Sequence, residues 1–172
     1  MTQKYSAGLL LFRRAPAADG PAARDPAAAG VPGRVEVLLG HMGGPFWARR
    51  HAGAWTVPKG EYEDPETPLD AARREFTEEL GVPPPQAAPI PLGRVRQSGG
   101  KVVTVWAVPG DLDPGAVVPG TFTMEWPRGS GRVQTFPELD RVAWFGLTTA
   151  RTAVVSAQAV FLDRLAEHLG AG

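Results

Sequence analysis

Glu75, Glu78 and Glu79 fall within one short run, Arg74-Glu75-Phe76-Thr77-Glu78-Glu79. On a helix turning about 100° per residue, Glu78 lies about 60° to one side of Glu75 and Glu79 about 40° to the other. Leu69, Ala72, Phe76 and Leu80 form an apolar stripe beside that arc, so the acids sit at the margin of the buried face. Carboxylates this close repel one another. A hard divalent cation would compensate, because Mg²⁺ takes oxygen ligands and keeps positions for water and phosphate oxygens. A solvated acidic face is the alternative, and these three residues alone leave both open.

The elements needed to hold such a helix are legible. Thr67 suits an N-cap, Pro68 the first helical position and Asp70 a capping-box pattern, while Gly81 stops the helix and Pro83-Pro84-Pro85 forbid its continuation. The spacing therefore predicts a helix over 68–80. Tyr5 to Phe12 reads as a buried strand and Arg34 to Leu39 as a second, forming a hairpin. Between them, residues 15–33 are almost entirely Ala, Pro and Gly, which predicts a flexible surface insertion. Ala54 to Val57 is a short extended run, and Leu92 to Val95 and Lys101 to Val108 read as strands joined through Ser98-Gly99-Gly100. Residues 109–131 read as a second Gly/Pro-rich loop, Arg141 to Phe145 as a late strand, and Thr149 to Leu169 as one C-terminal amphipathic helix. Strands and helices mix in one unit, so the class is α/β or α+β, and residues 1–172 read as a single domain.

The chain has 172 residues, 18 basic and 18 acidic side chains, 43% hydrophobic residues and no cysteine. Zero formal net charge disfavours a stable nucleic-acid partner, which demands a basic excess. The missing cysteine excludes a disulfide framework, a thiolate metal site and a cysteine nucleophile, and fits a cytoplasmic setting. The apolar run before Arg13 and Arg14 is too short for a signal peptide, and no stretch nears the roughly 20 apolar residues of a membrane span. No membrane partner is expected.

Gly60 to Val82 reads GEYEDPETPLDAARREFTEELGV. Its Gly60, Glu66, Arg74-Glu75, Glu78-Glu79, Gly81 and apolar Phe76 and Val82 resemble the Nudix box of the Nudix hydrolase superfamily at every defining position. The resemblance implies an α/β/α sandwich around a mixed sheet. It implies hydrolysis of a nucleoside diphosphate linked to another group, with Mg²⁺ or Mn²⁺. By position, Glu78 and Glu79 resemble metal ligands, Glu75 a further ligand or base, and the Gly60 carbonyl a backbone ligand. Glu66 and Arg74 resemble a structural ion pair. The base is placed variably in the family, so Glu75 and Glu78 inside the box, and Glu125 and Glu138 in loops outside it, all stay candidates.

Trp55-Thr56-Val57-Pro58-Lys59-Gly60 is similar to the W-x-x-P-K-G approach of Nudix members acting on dinucleoside polyphosphates and diphosphoinositol polyphosphates. Lys59 is placed to hold phosphate as a point charge. Arg49, Arg50, Arg94, Arg96 and Lys101 read either as a basic wall for a polyphosphate or as ordinary surface charge. Trp126, with Phe46, Trp47 and Phe122, could stack a base, whereas Trp106 reads as core. His41, His51 and His168 have no ligand spacing and read as incidental.

A small nucleotide is thus the expected partner, for a monomer or homodimer. A dinucleoside polyphosphate such as diadenosine tetraphosphate ranks first. Nucleoside triphosphates, including damaged ones, rank next, then ADP-ribose, other nucleotide sugars and capped RNA ends. A non-catalytic nucleotide sensor is the competing class, but such domains usually lose box carboxylates and this box is intact. A scaffold role leaves Gly60 to Val82 unexplained.

Overall fold

A computed structural model of the chain describes residues 2–15 and 34–170. The expected insertion, apart from Ala15, lies outside the described residues. The strands are β1 (Tyr5–Arg14), β2 (Val35–Met42), β3 (Trp55–Thr56), β4 (Lys59–Glu61), β5 (Ile90–Arg96), β6 (Val102–Pro109), β7 (Thr121–Glu125), β8 (Val133–Pro137) and β9 (Leu139–Gly146). The helices are α1 (Pro68–Leu80), α2 (Leu147–Ala153) and α3 (Ala159–Leu169).

β1 is the hub of the main sheet. The sheet runs β3-β2-β1-β6-β5, with β4 added on β1 and β9 on β2. β1 and β6 pair in parallel, while β2 and β4 run antiparallel to β1, so the sheet is mixed. Alternation along β1 sorts its side chains between two cores. Leu10 and Phe12 join Val37, Leu39, Val103 and Val105 beneath Phe161, Leu162 and Leu165 of α3. Ala7, Leu9 and Leu11 join Leu38 and Val108 beneath Ala72, Phe76 and Leu80 of α1. The result is the layered α/β/α arrangement expected, with α1 on one face and α2 and α3 on the other.

Two elements depart from the sequence reading. Residues 109–131 contain β7, which pairs antiparallel with β8 as a separate two-stranded sheet. Flanking Gly and Pro concealed the short alternation of Phe122 and Met124. The C-terminal segment is two helices, not one. Val154 is extended at ψ 154° and bridges Trp55, which ends α2 before a short 3₁₀ turn leads into α3. The turn seats Gln158, wholly buried, whose side-chain oxygen accepts the Val57 N–H at 2.9 Å. Tertiary contacts with β3 therefore override an apolar pattern that reads as continuous. Among the described residues no helix is long and apolar enough to cross a membrane.

Candidate active site

The caps of α1 aim its acids. Thr67 accepts the Asp70 N–H through its hydroxyl, and Gly81, at φ 71°, ends the helix by donating its N–H to the Thr77 carbonyl at 2.8 Å. Phe76 and Leu80 are fully buried against β1. That anchoring turns Arg74, Glu75, Glu78 and Glu79 toward β4, which is fixed by the pairing of Ala7 with Gly60.

Glycine at position 60 is a steric requirement. A Cβ there would overlap the carboxylate of Glu75. The backbone of β4 and a helix acid therefore meet with nothing between them. One residue earlier, the Lys59 N–H donates to Glu79 Oε2 at 2.9 Å. Arg74 ties the rest together. Its Nε and Nη2 fork onto Glu66 at 2.8 and 2.9 Å. Its Nη1 reaches Glu75 Oε1 at 2.6 Å and Glu78 Oε2 at 3.1 Å, and Nη2 reaches the Glu61 carbonyl at 3.3 Å. A forked guanidinium of this kind fixes carboxylate geometry as a lysine cannot.

A fourth acid arrives from the far end of the chain. Glu138, between β8 and β9, donates its N–H to the Gly120 carbonyl at 2.8 Å. A Cβ on Gly120 would lie 3.1 Å from both Glu138 Oε2 and the Glu78 carbonyl oxygen, so the Glu138 carboxylate stands beside the last turn of α1.

Electrostatics follow from burial. Burial pushes the Glu79 carboxyl up to about 8, against the opposing pull of Lys59. Burial also raises Glu75, opposed by Arg74, and raises Glu138, reinforced by Glu78. The same desolvation lowers Lys59, opposed by Glu79. Low dielectric thus penalises each group in its charged form.

Among the described residues no group of three or more acidic or imidazole side chains is already assembled as a metal cluster. Arg74 holds Glu75 and Glu78, and the Lys59 N–H holds Glu79. The available donors nevertheless fit a hard divalent ion. They are carboxylate oxygens and the Gly60 carbonyl, and the missing Cβ at Gly60 lets the Glu75 carboxylate lie against β4.

The other candidates are dispersed. Glu125 accepts the Gly131 N–H at 2.6 Å and so closes its own β7–β8 hairpin. The basic residues form two groups instead of one wall. Lys101 pairs with Glu61 at 2.8 Å and Arg96 donates to the Gln3 side chain at 2.8 Å, near β4. Arg94 is exposed on β5, the edge strand. Arg49 and Arg50 lie in the loop after β2, toward the opposite edge, and the Arg50 guanidinium stands 5.7 Å over Trp47. Trp126 meets Phe46 edge-on with centroids 5.1 Å apart, and Gly44 lies under Phe122. These contacts seat the hairpin against the 44–50 loop. Trp106 packs on the core beneath α1, as expected.

His41 corrects the sequence reading. It is wholly buried, with Nδ1 2.9 Å from Asp140 and Nε2 donating to the Arg50 carbonyl at 2.7 Å. Spacing held no signal for it, because its partner is 99 residues away.

The NUDIX domain model matches residues 24–165, and the chain belongs to the Nudix family of pyrophosphohydrolases. Solved structures agree on the fold. Ap4A hydrolase of C. elegans is 20% identical with a TM-score of 0.59, covering 98% of this chain and 99% of that one. The M. smegmatis Nudix hydrolase RenU is 23% identical with a TM-score of 0.56, covering 98% and 86%. The NUDIX domain of Shewanella oneidensis NrtR, complexed with ADP ribose, is 16% identical with a TM-score of 0.58, covering 98% and 90%. A search of curated proteins found no significant match.

Proposed function

We propose that the chain is one Nudix domain that hydrolyses a dinucleoside polyphosphate, such as diadenosine tetraphosphate, with Mg²⁺ or Mn²⁺. The observation that carries the reading is the gathering of acids along one side of α1: Glu75 against Gly60, Glu79 on the Lys59 N–H, Glu78 on Arg74, and Glu138 beside the last turn of the helix.

In this reading the Gly60 carbonyl, Glu75, Glu78 and Glu79 hold the metal. An ion bound there would supply positive charge for the phosphate oxygens and lower the pKa of a bound water. Glu138 takes the water proton as the oxygen attacks phosphorus and the phosphoanhydride oxygen departs with its electron pair. Among the described residues no carboxylate is in hydrogen-bond contact with the Lys59 ammonium, which in this reading faces the phosphates as a point charge. Arg74 and Glu66 hold the acids in register. Trp126 and Phe46 offer an aromatic edge to a base. Choice of a dinucleoside polyphosphate rests on the Trp55 to Gly60 approach and Lys59.

A panel of diadenosine tetraphosphate, nucleoside triphosphates and ADP-ribose, assayed with each metal and with products identified, tests this. ATP plus AMP from diadenosine tetraphosphate, at the highest kcat/KM of the panel, is the expected result. A higher kcat/KM for a triphosphate or ADP-ribose overturns the substrate choice. Tight nucleotide binding without turnover of any compound favours a sensor.

A further inference from the structure

β2 and β9 pair regularly up to His41 opposite Arg141, and then Met42 meets Leu139. Asp140 is left over, the extra residue of a β-bulge. Its carboxylate folds back across the ladder, with both oxygens 2.9 Å from His41 Nδ1. Just beyond, the Gly43 N–H donates to the Glu138 carbonyl at 2.9 Å. A Cβ on Gly43 would overlap the Pro137 carbonyl, so the two backbones touch there. The other nitrogen of the same ring, Nε2, donates to the Arg50 carbonyl at 2.7 Å. His41 is 0% exposed, and the Trp55 ring meets it edge-on at 5.1 Å.

One buried ring thus grips two separate segments of the chain. Nδ1 grips the bulge two residues after Glu138. Nε2 grips the end of the 44–50 loop, which carries Phe46, Trp47, Arg49 and Arg50. The geometry points to His41 as a positioning residue with two separable arms, an inference that rests on the roles proposed above for Glu138 and for Phe46 of the 44–50 loop. The Nδ1 arm pins the bulge and with it the register that turns Glu138 toward α1. A slip of one residue in a strand turns its side chains to the opposite face, so loss of this pin costs the base its position. The Nε2 arm holds the loop, and with it the contacts that seat the β7–β8 hairpin through Phe46 and Trp126. Neither arm touches substrate.

The two arms can be cut one at a time. Asparagine places a donor near the position of Nδ1, and glutamine places one near Nε2. His41→Asn is expected to keep kcat within about 2-fold and raise KM about 10-fold, because only the loop is released. His41→Gln is expected to do the reverse, lowering kcat about 10-fold with KM nearly unchanged. Asp140 is partly exposed at 26%, so Asp140→Ala is expected to fold even if the buried substitutions do not, and to follow the His41→Gln pattern. Equal effects of the two His41 substitutions on the same parameter overturn the inference. So does an Asp140→Ala enzyme with full kcat beside a Glu138→Gln enzyme that has lost it. A Glu138→Gln enzyme with full kcat overturns the base assignment and this inference together, so the two failures are told apart by that variant.

Discussion

Glu79 and Lys59 oppose each other across the join of α1 and β4. The carboxylate accepts the lysine's backbone N–H at 2.9 Å, and burial pushes both side chains toward their neutral forms.

A pH dependence follows from Glu79. Its carboxyl is raised from 4.5 to about 8 in the folded chain. A raised acid contributes stability that is fully present below its unfolded value and is lost as pH climbs through its folded value. The melting temperature of the metal-free protein is therefore expected to fall between about pH 5 and pH 8. Mg²⁺ should restore it and release a proton on binding. Glu79→Gln should flatten the slope, leave the fold intact and cut kcat by at least about 10²-fold. Calorimetric melts across that pH range check it, and a flat wild-type profile would falsify it.

Gly60→Ala adds one methyl group against Glu75. Gly60 does not have a positive φ, so alanine can adopt its backbone and the strand should form. The carboxylate must then move. Metal affinity is expected to fall about 10- to 100-fold, with the far-ultraviolet spectrum unchanged. Wild-type Mn²⁺ affinity by isothermal titration in the folded variant would count against Gly60 as part of the metal cradle.

Glu138 and Glu125 separate cleanly. Glu138→Gln should lower kcat by about 10²- to 10⁴-fold with little change in KM. Glu125→Gln should lose only its hairpin bond to Gly131 and keep kcat within about 3-fold. Steady-state kinetics on the best substrate of the panel decide it, and the reverse ranking moves the base to the hairpin.

Trp126→Ala removes one side of the Phe46 contact. A stacked base is worth about 1–3 kcal/mol, so KM for a nucleotide substrate should rise by about 10-fold or more while kcat holds. Inorganic tripolyphosphate, which has no base, should bind equally well to both proteins in a competition assay. A matching loss for tripolyphosphate would show that the tryptophan supports the site without touching a base.

The legible parts of this molecule were local. Thr67, Pro68, Asp70 and Gly81 lie within one turn of the ends they cap, so α1 and its acids could be placed from spacing alone. The ladder of β1 on β2 was equally visible, because alternation needs no distant partner. The division of the C-terminal segment was hidden, since it depends on Val154 meeting Trp55 from across the fold. Glu138 was visible as an acid in a loop, but its approach to Glu78 depends on Gly120 and on the register of β9. His41 leaves no mark in the sequence for the same reason: a side chain whose partners lie 99 residues on and at a backbone carbonyl has no periodic trace.

β1 sets a distance that has a practical use. Its start faces Gly60, through Ala7, while its end is riveted to β2 by the Ala15 N–H on the Arg34 carbonyl at 2.7 Å and by Arg13 on Glu36 at 3.0 Å. At about 3.3 Å per residue, Ala7 and Arg14 are about 23 Å apart. The segment joining Ala15 to Arg34 is thus rooted at the end of the strand remote from the acids. Ala15, at that end, is therefore an attachment point for a fluorophore or an affinity handle remote from Gly60.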